Sequence, residues 1–259
     1  MHTMISSRIP RWVRAIFVAN LVAQSAIIVT GAVVRLTGSG LGCPTWPQCV
    51  EGSYTPTARQ EEVFHKYIEF GNRLLTFVLV LIAIAVLVAM FINVRSRRRA
   101  GIAQRPAIIV LSVIPFVGTA AQAVLGGVTV LTGLHPLIVS AHFLLSMVLV
   151  TAAVALVARS GDLGDQPVIR LAPTPVRLLT WLMVSVAALV VVLGVITTGS
   201  GPHSGDAQSE ARFSFDPQTV AWLHADTVFL FIGLLIGLLV SLMLFSSTGS
   251  MRKRTLLLI

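Results

Sequence analysis

Six apolar runs, each close to twenty residues or longer, constrain this chain more than any other feature. They fall near 15–36, 67–92, 107–131, 136–158, 178–198 and 219–245. Runs of that length match the hydrocarbon core of a bilayer and mark spanning helices. Composition agrees: of 259 residues, 55% are hydrophobic and only 11% charged, with a mean hydropathy of +0.88. No soluble domain reads like that. The expected fold is all-α, a polytopic transmembrane bundle of six helices.

The first run follows Arg8, Arg11 and Arg14 and superficially suggests a secretory signal. Its apolar stretch exceeds the usual ~7–15 residues of a signal core, and no clear cleavage site follows. The net charge of +9 suggests nucleic acid until the charges are placed. Arg8, Arg11, Arg14, Arg95, Arg97, Arg98, Arg99, Arg105, Arg159, Arg170, Arg177, Arg252, Lys253 and Arg254 share one side of a six-span arrangement. Only Arg35, Arg59, Lys66, Arg73 and Arg212 take the other. This bias orients a membrane protein. It predicts an integral protein of a bacterial plasma membrane, with both termini cytoplasmic and the Cys43/Cys49 loop outside. Nucleic acid is excluded as a partner, the lipid bilayer is one, and a homo-oligomer stays open.

Two outward stretches are alike. The first run ends in VVRLTGSGLGCPTWPQC and the fifth in GVITTGSGPHSGD. The runs that follow match loosely, NRLLTFVLV from Asn72 against HADTVFLF from His224. An offset of four helices preserves direction, so the expectation is a parallel repeat about the membrane normal. That divides the chain into a four-helix half, 1–160, and an incomplete half, 161–259. A four-plus-four plan needs two more helices, and the expectation is a shortened or truncated chain.

Ionisable groups inside a bilayer are costly and functional by default. Glu69, Arg73, His142, His224 and Asp226 qualify. His142 stands six residues into the fourth run, about 9 Å deep at the helical rise. His224 and Asn72 lie at similar depth in theirs, and Glu69 slightly shallower. Two imidazoles on facing helices can hold an iron porphyrin; each alone also reads as a hydrogen-bonded interior histidine. Gly126 and Gly127 allow close approach of a helix or of a flat macrocycle. Glu69 is spaced to share a face with His65 and Asn72, and to pair with Arg73. It can equally stay neutral or serve as a general base.

Cys43 and Cys49 are the only cysteines. In an oxidising compartment a disulfide is the simplest reading, with a redox-active or reduced pair as alternatives. Without Cys-x-x-Cys-His, covalent haem attachment has no support. TGSGPHSGD lacks the lysine and the strand–helix setting of a phosphate loop. Its His203 and Asp206 suit the mouth of a site or an ordinary turn.

Taken in order, GAVVRLTGSGLGCPTWPQC, IEFGNRLLT, QAVLGGVTVLTGL, AHFLL, TGSGPHSGD and WLHAD resemble the haem A synthases, membrane proteins of cytochrome oxidase maturation. The resemblance covers nearly the whole chain. It implies eight helices in two halves, one haem site per half, and oxidation of the C8 methyl of haem O to the formyl of haem A. Glu69 then matches the essential glutamate beside the substrate haem. His142 matches an iron ligand of that site, and His224 a ligand of haem b. Cys43 and Cys49 match the outer cysteine pair. Arg35, Arg73, Gly126, Gly127 and His203 fall to the propionates and the cavity lining, with Lys66 a further cation near the propionates. Haem O synthase and oxidase assembly factors become candidate partners.

Two departures follow. Asn72 stands where the family carries a histidine, so the substrate iron is expected to have His142 alone, with His65 the candidate second ligand. The expected eighth helix, with the other haem b ligand, has no counterpart here. Rival readings are a b-type cytochrome that only carries electrons, an inactive fragment, and a transporter built on the repeat.

Overall fold

The computed structural model describes residues 8–57, 64–162, 172–202, 205–206, 209 and 211–245. Among them the chain is helical, with one isolated bridge between Val50 and Ser53. The helices are α1 (Arg11–Leu36), α2 (His65–Arg99), α3 (Pro106–Leu131), α4 (Pro136–Ser160), α5 (Thr174–Ser200) and α6 (Pro217–Phe245). All six are long and apolar enough to cross a membrane. Proline in the first turn of α3, α4 and α5 costs no hydrogen bond there and presets the helical φ. Helix α2 outlasts its apolar run by seven residues at its C-terminal end, because arginine sustains a helix and complements the negative end of its dipole.

Two compact units form: Met1–Gln166 with Pro202–Arg212, and Pro167–Gly201 with Phe213–Ile259. In the first, α1 packs on α2 and α4, and α3 on the same two, closing a ring of four helices. The buried residues explain why. They are Val13, Phe17, Asn20 and Gln24 on α1, and Leu79, Ala83, Val86, Met90, Asn93 and Arg97 on α2. On α3 they include Ile108, Ser112, Pro115 and Thr119, and on α4 Leu149, Ala153, Leu156 and Ser160. Steps of three and four alternate throughout, the spacing that keeps one seam against its neighbours.

That seam changes character along its length. At the arginine-rich end it is a core of Ile9, Val13, Phe17, Val86, Ala89, Met90, Ile108 and Leu156. Arg105, 1% exposed, donates to the carbonyls of Arg159 (2.9 Å) and Asp162 (3.0 Å), tying the start of α3 to the end of α4. Toward the opposite end, the same three-and-four register brings in Gln24, Thr119, Gln122, Ser146, His142, Asn72 and Glu69.

The opposite end is capped by loops. Cys43 and Cys49 form a disulfide. Gly42 lies on the His65 carbonyl so closely that a Cβ would stand 2.6 Å from its oxygen. The Leu134 side chain occupies the space beside Gly40 and Gly205. Gly40 N–H donates to the Gly205 carbonyl (2.8 Å), and the Ser209 hydroxyl to that of Gly133 (3.0 Å).

In the second unit α5 and α6 run antiparallel, with the Thr197 hydroxyl donating to the Val220 carbonyl (3.1 Å). The two T-G-S-G copies differ locally. The first lies beyond its helix and turns at Gly38, φ 67°. The second continues helical through Ser200.

Candidate functional site

The polar end of the first unit divides into a clamp and an imidazole seat. The clamp is built by the first turns of α2. Glu69, 5% exposed, accepts from Arg73 Nε (3.0 Å) and Nη2 (2.5 Å) at Oε1. Its Oε2 accepts from the Cys43 backbone N–H (2.5 Å). Arg73 also donates to the carbonyls of Cys43 (2.6 Å), Thr45 (2.9 Å) and Gln48 (3.2 Å). All five guanidinium N–H groups are thereby engaged, four apart from its carboxylate on one helix face, the spacing that lets the pair meet. Of the roles open to Glu69 in the sequence, the structure displays the ion pair. It gives Arg73 to the disulfide loop, and in this arrangement no donor is left for a propionate.

The loop reaches back across the bundle. The Trp46 indole lies against Gly127 of α3, where a Cβ would stand 2.5 Å from the ring. Gly127 thus admits an aromatic side chain of the protein itself. Gly126, next to it, faces the other way in role: a Cβ there would stand 3.3 Å from His142 Cε1 and 3.8 Å from its Nδ1. His142 Nδ1 is buried and has no hydrogen-bond partner. Gln122 Nε2 donates to the His142 backbone carbonyl (3.0 Å) and to Ser146 Oγ (2.6 Å), fixing this turn of α4.

The second unit repeats the seat. A Cβ on Gly194 of α5 would stand 3.2 Å from His224 Cε1 and 3.8 Å from both ring nitrogens. His224 Nδ1 is likewise buried and partnerless. Gly194 escaped the sequence reading; its signal is a glycine in an apolar run, at the depth of the histidine on the next helix.

The remaining candidates lie elsewhere. Asn72 Oδ1 is 2.8 Å from Thr30 Oγ1 of α1. His65 opens α2, its Nδ1 3.2 Å from the Gly38 carbonyl oxygen. Arg35 is half-buried at the end of α1, its stem beside Gly205. Asp226 is exposed, and His203 lies outside the described residues.

Residues 14–204 match the family described as cytochrome oxidase assembly protein, COX15-CtaA. The chain belongs to that family. A protein named "Heme A synthase" from Geobacillus thermodenitrificans is 32% identical over 117 residues, covering 45% of this chain and 32% of that protein. One of the same name from Geobacillus kaustophilus (strain HTA426) is 33% identical over a stretch with the same coverage. A third, from Lysinibacillus sphaericus (strain C3-41), is 33% identical over 147 residues, 56% of this chain and 44% of its own. The matched stretches span less than half the length of these relatives. No solved structure matches the chain.

The family raises haem, and the residues can be tested against it. Among the described residues no three of His, Cys, Asp and Glu gather as they would around a bare metal ion. Haem iron carries four nitrogens of its own and asks the protein for one or two more. His142 and His224 fit that smaller demand. Each is an imidazole with a partnerless buried nitrogen, seated where a neighbouring glycine removes the side chain that would crowd it.

Proposed function

We propose that this chain acts in haem A biosynthesis as an integral membrane oxidoreductase, taking haem O and converting its C8 methyl to a formyl group. It spans the membrane with both termini cytoplasmic and the disulfide loop outside, as the arginine distribution favours. The observation that carries the reading is the His142 imidazole against Gly126, within a chain of this family.

His142 would hold the substrate iron and His224 a haem b. Bound haem supplies the redox chemistry of successive hydroxylations; the protein supplies placement and surroundings. Gln122 and Ser146 hold the turn that carries His142. Asn72, held to Thr30, would offer the group an amide and not a second imidazole. Arg35, half-buried at the end of α1, and Lys66 at the start of α2 would be the cations nearest a propionate. Glu69 sits close enough to the loop backbone to shape the outer wall of the site, and freeing it for proton transfer would require the Cys43 N–H to move away.

Haem O and the purified chain, incubated with a reductant and oxygen, should yield haem A on pigment extraction. The product should vanish in His142→Ala. A second reading, an electron-carrying b-type cytochrome, draws on the engagement of both Glu69 oxygens. Unchanged haem O beside a redox-active Soret band would favour it over the enzyme.

A further inference from the structure

We propose that the first unit holds a column of bound water, reached from the His142 end and running down the seam to Asn20. Its walls are Asn20 and Gln24 of α1, Thr119 and Gln122 of α3, and Ser146 of α4. Asn20 is fully enclosed, 0% exposed, yet neither Oδ1 nor Nδ2 has a hydrogen-bond partner. Gln24, one turn away on the same face, donates to Thr119 Oγ1 (3.4 Å). Thr119 is 2% exposed and lies three residues from Gln122, again on one face. Gln122 donates to Ser146 Oγ (2.6 Å), and Ser146 Oγ to the His142 carbonyl (3.1 Å). Gln122 Oε1 and His142 Nδ1 are both buried without partners.

Polar side chains between membrane helices commonly serve as glue, and the Gln24–Thr119 and Gln122–Ser146 bonds do that. Glue leaves Asn20 unexplained. An amide with two idle polar atoms in a lipid-spanning bundle is expensive, and a water with its two to four hydrogen bonds is the small ligand that satisfies it. The column of side chains from Asn20 to His142 is continuous through hydrogen bonds and single helical turns, and half-buried His142 is its less enclosed end. Such a chain of water supplies water and carries protons between His142 and the middle of the bundle. What it serves rests on the haem reading above; the water itself does not.

The test is water-edited solid-state NMR on the full chain in lipid bilayers, with labelled asparagine, glutamine and histidine. Asn20→Leu and Gln122→Leu assign the signals. In the wild-type chain, Asn20 Nδ2 and Gln122 Nε2 should receive magnetisation from water as fast as solvent-facing amides. Gln122→Leu should slow transfer to Asn20 severalfold, and Gln122→Glu should restore it. A dry Asn20 in the wild-type chain, or a transfer rate indifferent to Gln122→Leu, overturns the proposal. The readout needs neither haem nor turnover, so its failure and that of the haem reading are separate results.

Discussion

At the scale of single residues, two glycines and one ion pair make the sharpest demands. Gly126 leaves 3.3 Å for His142, so Gly126→Ala should displace the imidazole at an overpacking cost of about 1–3 kcal/mol. A shifted Soret band with unchanged helical circular dichroism would register this. If the proposed substrate haem is held by His142 alone, Asn72→His should add a second imidazole and shift its spectrum to six-coordinate low spin; an unchanged optical spectrum would count against that single-ligand proposal. The Glu69–Arg73 pair is more than a surface bridge, since the carboxylate is buried and the arginine 20% exposed. Arg73→Met strands that carboxylate and three loop carbonyls, and should cost about 3 kcal/mol. The loop should then be nicked by protease well before the helices melt. Pairing at i,i+4 was readable from sequence. The further bonds to Cys43, Thr45 and Gln48 were not, because they depend on where a loop of Pro44, Trp46 and Pro47 folds back.

Among helices, the number and the spanning segments were legible because twenty apolar residues in lipid have few alternatives. The seam was less so. Asn20, Gln24, Thr119 and Gln122 interrupt apolar runs, and only their three-and-four register shows that they face inward rather than toward lipid. Ends were the weakest part: T-G-S-G closes α1 but is absorbed into α5, since termination depends on the packing beyond the glycine. The start of α6 yields a prediction of its own. Asp216 Oδ2 accepts from the Thr219 backbone N–H (2.8 Å) and hydroxyl (2.7 Å), capping the helix. The Thr219 hydroxyl, then its N–H, holds the carboxyl below its ordinary value. The cap therefore contributes fully above the unfolded pKa, near ~3.9, and is lost as pH falls through the lower folded value. Protection of the amides at 218–221 against exchange, relative to the unstructured rate at the same pH, should fall over that acid range, and should be low at every pH in Asp216→Ala.

For the molecule as a whole, the two histidine seats lie in different compact units. Their removal should be additive: His142→Ala and His224→Ala should each delete a distinct fraction of bound haem, and the double variant both. Haem-to-protein ratios and difference spectra would check this. Loss of all pigment in either single variant would mean that the units do not bind independently. What the sequence could not supply at this scale is which side chains the glycines serve. Gly126 and Gly127 are neighbours with one composition signal, yet one admits a ligand-type imidazole and the other an indole from a loop some eighty residues earlier.

Helix α2 has 35 residues, a rod of about 52 Å at the usual rise. The oily slab it crosses is about 30 Å thick. Its glutamate end is pinned by the disulfide loop, so the surplus of about 22 Å, roughly four turns, is carried toward the other face as a stalk bearing the exposed Arg95, Arg98 and Arg99. A host membrane that thickens or thins would be accommodated by that stalk rather than by the histidine seats.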